Sequence, residues 1–259
     1  MIAFVNSLQS EWMKTRRSLA LWMVVAGGFF TPAVIIVARL VNYARVPELY
    51  ARDDFWQMLW RNSWESMSVF FLPLGAILST SLIAQLEYKN NTWKQLHTLP
   101  LSYTTIFFSK LTVILILMAM FFVFFNIGIW LSAFVPYMLV SGTPWPAGLP
   151  WREFLNDDLL YFVDCLPIVA LQYLLALRFK NFLVGIGLGF LFWVGAIGSV
   201  SWSKGWIIPY TYVMFNYLKG AEKTRAIIPD LNIHLLAIGW FAAITLVSYA
   251  LYVTRSEKG

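Results

Sequence analysis

Apolar runs of roughly 20 residues, each long enough as a helix to cross a ~30 Å hydrocarbon core, recur along the 259-residue chain. Lipid offers no hydrogen bonds, so a spanning segment has to satisfy its own backbone, and an uninterrupted apolar run of this length does so as a helix. Only 12% of the residues are charged, against about 25% in a soluble domain. The expected fold class is an all-α integral membrane protein with six transmembrane helices. Their expected positions are residues 18–38, 64–86, 111–134, 159–177, 182–201 and 231–253, in one transmembrane domain over 1–259.

The connections carry the finer pattern. Residues 1–17 place Ile2, Val5, Leu8 and Trp12 at helical spacing among polar residues, with Lys14, Arg16 and Arg17 following. This suits an amphipathic helix along the membrane interface, its cations near lipid phosphates. The apolar run after these cations is too long for a signal-peptide core, so the first span is expected to remain as an anchor. Pro32 and Pro73 are kink candidates in spans one and two. Phe55, Trp56, Leu59 and Trp60 form an amphipathic turn ahead of span two. Asn156 is placed to cap span four, with Asp157 and Asp158 in its first turn. In span five, Gly185 and Gly189 form a small-xxx-small pair for close helix packing, within or between subunits. Residues 207–218 are too apolar for a solvated loop and too short to cross, so a re-entrant or interfacial element is expected between spans five and six.

Six spans put both ends on one side. That side gathers Lys14, Arg16, Arg17, Lys89, Lys94, Lys110, Arg178, Lys180, Arg255 and Lys258, ten of the nineteen basic residues in the shorter segments. Basic residues are retained in the cytoplasm, so both termini are expected there. The net charge of +6 is explained by this bias, and no nucleic-acid partner is expected. The patterned interval from Glu87 to Lys110 then lies in the cytoplasm, with Trp93 and Leu96 in an amphipathic turn and Pro100 breaking it.

Several chemistries find no motif. The chain has no phosphate-loop signature and no H-E-x-x-H, and its two histidines, His97 and His234, fall on opposite expected sides. No metal site, no bound cofactor and no catalytic residues are expected. The single cysteine, Cys165, lies in an apolar run and reads as a packing residue. Asp164 is the one carboxylate well inside an apolar run; it either snorkels or lines a cavity or substrate path. Asn126 and Gln172 are further polar candidates for that path, or inter-helix hydrogen-bonders.

Two segments resemble those of bacterial ABC-2-type transporter permeases. Glu11-Trp-Met-Lys14-Thr-Arg-Arg17-Ser18 resembles the family's E-x-x-K-x-x-R-S approach to span one, and Glu87-Tyr-Lys-Asn-Asn-Thr92-Trp93-Lys94-Gln-Leu96-His-Thr-Leu-Pro100 with Lys110 resembles its loop between spans two and three. The branch most similar in flavour contains lantibiotic-immunity and peptide-antibiotic exporter permeases. The resemblance implies a permease that pairs with a second copy or a related chain, sits among lipids of the bacterial cytoplasmic membrane, and docks separate ABC ATPase subunits. ATP and Mg would bind in those subunits. It further implies a cytoplasmic coupling helix within 87–99, where Glu87, Lys89, Thr92, Trp93, Lys94, Leu96 and Pro100 would meet the ATPase. Apolar anchors with a basic rim suit such a contact, and Glu87 is placed to pair with Lys14 or Arg17.

The expected function is therefore an exporter permease moving an amphiphilic substrate, a peptide antibiotic or lipid-like molecule. The competing classes are an intramembrane lipid-modifying enzyme using Asp164 as an acid, and a non-transporting sensor or assembly subunit. ATP-dependent substrate movement in vesicles, and full activity or its loss on Asp164→Asn, discriminate them.

Overall fold

In a computed structural model of the chain, which describes residues 2–89, 101–179, 181–220 and 230–256, six helices are long and apolar enough to cross a membrane. They are Leu19–Val41, Phe55–Leu86, Tyr103–Leu139, Trp151–Arg178, Phe182–Ser199 and Ile233–Thr254. Spans two, three and four are half or more buried (61%, 50% and 56%), whereas spans one, five and six are 28%, 22% and 17% buried. The core is therefore the middle three helices, and the outer three turn large apolar side chains such as Trp22, Leu191 and Leu246 away from the protein. That exposure is the surface lipid or another chain covers.

Span two begins nine residues before its expected start. Phe55, Trp56, Leu59, Trp60 and Trp64 are all buried, so the amphipathic turn is continuous with the span. Span four begins at Trp151, which leaves Asn156 inside the helix instead of capping it. The early start follows from packing: Phe154 stacks on Trp60 at 4.0 Å and Tyr161 on Trp64 at 3.6 Å. Two aromatic pairs thus extend both helices outward together. Span three starts at Tyr103, where Ser102 Oγ accepts from the Thr105 N–H, and Lys110 lies within it.

Prolines shape the bundle through the carbonyls they leave unbonded. A proline has no N–H for the carbonyl four residues earlier. Pro73 follows a π-helical turn at Met67–Phe71, and the freed Val69 carbonyl accepts from Trp193 Nε1 of span five at 2.8 Å. Pro136 frees the Ser132 carbonyl, which accepts from Arg39 Nη1 of span one at 2.7 Å. Each capped carbonyl avoids a desolvation penalty of about 1–3 kcal/mol and ties two spans together.

Spans one and three pack at backbone distance. A Cβ on Gly28 would sit 3.0 Å from the Phe121 carbonyl oxygen and 2.9 Å from Phe124 Cβ. Between spans five and six, residues 202–220 form two short turns and the nine-residue helix Tyr212–Gly220. Its length, roughly 14 Å, cannot cross a bilayer. Tyr210, Tyr212, Val213, Met214 and Phe215 are buried against the bundle, which explains the apolar composition of this stretch.

Gly28→Ala is expected to lower stability by about 1–3 kcal/mol, because backbone atoms of span three cannot yield to the added methyl. Gly195→Ala meets nothing within 4 Å and is expected to be neutral or slightly stabilising. Thermal unfolding of the detergent-purified protein compares the two.

Candidate functional site

The ends of the helices sort onto two faces of the bundle. One face carries the N-terminal helix Ile2–Thr15, the end of span two, the start of span three, the turn between spans four and five, and the end of span six. These pieces are tied by polar contacts. Gln85 Nε2 donates to the Phe179 carbonyl at 2.9 Å, Tyr173 Oη to the Phe107 carbonyl at 3.1 Å, and the Thr104 and Tyr249 hydroxyls meet at 2.6 Å.

The strongest tie is electrostatic. The stripe Ser7, Glu11, Thr15 of the N-terminal helix is buried against span three. Lys110 Nζ reaches Glu11 Oε2 at 3.1 Å, Lys14 Nζ reaches Glu11 Oε1 at 2.6 Å, and the Ser7 and Ser109 hydroxyls lie 2.9 Å apart. Glu11 and Lys110 are 3% and 2% exposed. Burial pushes the Glu11 carboxyl upward, but Lys110 and Lys14 outweigh it and hold the pKa below the ordinary value of 4.5. The side of this helix turned to span three is polar, while Ile2 and Val5 are exposed and Trp12 is half-buried against the core. Arg16 and Arg17 are exposed.

Glu87 and Lys89 fall on the last turn of the helix Leu72–Lys89. Their side chains, the expected pairing of Glu87 with Lys14 or Arg17, and Thr92, Trp93, Lys94, Leu96 and Pro100 all lie outside the described residues. In sequence they connect span two to span three, whose first turns carry Lys110 of the buried Glu11–Lys110 pair. No sequence motif linked those two residues. The expected start of span three at residue 111 left Lys110 outside the helix; the observed start at Tyr103 puts it eight residues in, where a buried charge demands a partner.

The opposite face holds a cleft of about 680 Å³, lined among others by Trp60, Arg61, Asp157, Tyr161, Asn216 and Lys219. Trp60 Nε1 donates to Asp157 Oδ2 at 2.9 Å, and Arg61 Nη2 to the Gly220 carbonyl at 2.9 Å. None of the three expected path residues lines this cleft. Asp164 is fully buried and pairs with His234 Nδ1 of span six at 2.8 Å, so it does not snorkel. Asn126 donates to Asp158 Oδ2 at 2.7 Å, bridging spans three and four. Gln172 donates to Ser81 Oγ at 2.6 Å and to the Gly185 carbonyl at 3.0 Å, joining spans four, two and five.

Gly185 and Gly189 pack within the chain. A Cβ on Gly189 would collide with the Gln172 side chain, and one on Gly185 would lie 4.0 Å from Ala176 Cα. Cys165 is buried and unpaired. Among the described residues, no group of three His, Cys, Asp or Glu side chains could hold a metal ion. The Asp164 carboxylate orients the His234 ring, but no hydroxyl or thiol lies at hydrogen-bonding distance from that ring among the described residues.

No curated protein matches the chain. The family model for the ABC-2 family transporter protein matches residues 7–196, from the N-terminal helix through most of span five. That match covers well over half of the chain, including the Glu11–Lys110 lock and the segment between spans two and three. The chain belongs to the ABC-2 transporter family, as a multi-pass membrane permease subunit of an ABC exporter.

Proposed function

We propose that this permease is driven through the segment at 87–99, which docks a separate ABC ATPase subunit as a coupling helix. The observation that supports this reading is the buried Glu11–Lys110 pair. It fixes the N-terminal helix to the start of span three, so a push on the adjoining segment is carried into three elements at once. Trp93 and Leu96 anchor the contact, Lys89 and Lys94 form its rim, and Glu87, Thr92 and Pro100 bound it. ATP and Mg bind in the partner subunit.

In the same reading both termini face the cytoplasm of a bacterial cell and the chain spans its inner membrane as one permease domain. Two permease copies, or this chain and a relative, form the transporter. The apolar faces of spans one, five and six support both a lipid-facing surface and that pairing. The helix Tyr212–Gly220 serves as the re-entrant element. The cargo is an amphiphile, a peptide antibiotic or a lipid-like molecule. The opposite cleft, with tryptophan faces beside cations and carboxylates, supports that choice.

Trp93→Ala with Leu96→Ala is expected to abolish co-purification of the ATPase while the permease still reaches the membrane. Unchanged co-purification contradicts the coupling assignment. Glu11→Gln is expected to weaken the dock of the N-terminal helix by about 1.5–3 kcal/mol, because it removes the carboxylate that both Lys110 and Lys14 bond. ATP-driven transport in proteoliposomes then falls while ATPase binding persists. The pH dependence has a fixed sign: a depressed carboxyl pKa stabilises the dock above 4.5, and that contribution is lost as the pH falls through the lower folded value. The distance between spin labels at Ser10 and Ser102 is expected to stay narrow at neutral pH and broaden only in acid.

A further inference from the structure

Span one ends on a cation that the bundle buries without a carboxylate. Arg39 is 8% exposed. Its Nη1 donates to Tyr50 Oη at 3.1 Å and to the Ser132 carbonyl at 2.7 Å. The guanidinium carbon lies 4.9 Å from the centre of the Phe55 ring and 5.3 Å from that of Tyr50. Carbonyl, hydroxyl and ring faces solvate the charge, yet none cancels it. Among the described residues no carboxylate comes within ion-pair distance of Arg39, and its Nε and Nη2 have no protein acceptor. A buried cation in this condition calls for an anion from outside the chain.

The structure provides room for one. Arg39 forms part of the wall of a groove of about 420 Å³, between the end of span one, the helix Val46–Tyr50 and the start of span two. Ile35, Ala38 and Leu59 give the groove an apolar wall, and Asn42, Arg45 and Asn62 give it polar groups. No acidic residue lines it; Glu48, the acid nearest Arg45 in sequence, is exposed and outside the lining. Val37 and Val41, 60% and 72% exposed, flank it on the lipid-facing side of span one.

We propose that this groove binds one anionic phospholipid. The phosphate sits against the free guanidinium nitrogens of Arg39 and against Arg45, with Asn42 and Asn62 as neutral donors. The first acyl carbons lie along Ile35, Ala38 and Leu59. Two arginines without a neighbouring carboxylate select a headgroup of net negative charge over a zwitterionic one, whose ammonium finds no partner there. The bound lipid neutralises the charge that clasps span one to span three, and so stabilises the end of the bundle opposite the coupling segment. The inference rests on Arg39 and the groove, and stands apart from how the transporter is driven.

The test uses the full chain in lipid nanodiscs of phosphatidylcholine containing one-fifth phosphatidylglycerol, with retained lipid read by native mass spectrometry. The wild type is expected to retain phosphatidylglycerol roughly tenfold over its share of the bilayer. Arg39→Gln is expected to remove that preference. Because it also uncaps the Ser132 carbonyl, Ala38→Trp is the companion variant: it fills the groove from an exposed position and leaves the bonds of Arg39 in place. It is expected to lose the retained lipid, while its melting temperature in phosphatidylcholine alone matches that of the wild type. Equal retention of the two lipids, unchanged retention in Ala38→Trp, or displacement of the lipid by millimolar inorganic phosphate would overturn the proposal.

Discussion

A polar group that enters the apolar interior of this bundle gains by finding a partner within the protein. At several places where a proline or a charge breaks the apolar run, a side chain from another element supplies one. The Val69 carbonyl freed by Pro73 is met by Trp193, and the Ser132 carbonyl freed by Pro136 is met by Arg39. Lys110 is met by Glu11, Asp164 by His234, and Asn126 by Asp158. Each repair joins helices distant in sequence. With no hydrophobic drive between helices in lipid, such ties and close packing at residues like Gly28 hold the spans in register.

The two faces of the bundle use this constraint differently. On the face that carries the N-terminal helix, a buried ion pair ties that helix to the start of span three. On the other face the ties include Asp164 with His234, Asn126 with Asp158, Trp60 with Asp157 and Arg39 with the Ser132 carbonyl, around a cleft and a groove. The aromatic pairs Trp60–Phe154 and Trp64–Tyr161 keep spans two and four together between them.

The sequence made the six spans legible because lipid imposes a crude requirement, a long apolar run, that composition reveals directly. The small-xxx-small pair at Gly185 and Gly189 was legible for the same reason, and its contacts prove to lie within the chain. Span ends were harder. Phe55–Trp64 and Trp151–Asp158 are mixed in polarity, and only their mutual stacking makes them extensions of the helices. The ion pairs and carbonyl caps were beyond reach, since Glu11 and Lys110, or Arg39 and Ser132, meet through tertiary structure alone. For Asn126 and Gln172 the sequence left a path role and inter-helix hydrogen bonding both open, and the structure shows each bonded across spans, whereas the burial of Asp164 depended on a histidine seventy residues away.

The central claim is that the chain is worked by a separate ATPase at the segment between spans two and three. A photo-crosslinking residue at Lys94, activated in intact membranes, tests it directly, with a second at Trp145 as the reference on the opposite face. The account predicts a covalent adduct of the permease with an ATPase subunit from Lys94 and none from Trp145. No adduct from Lys94, or equal adducts from both positions, would contradict it.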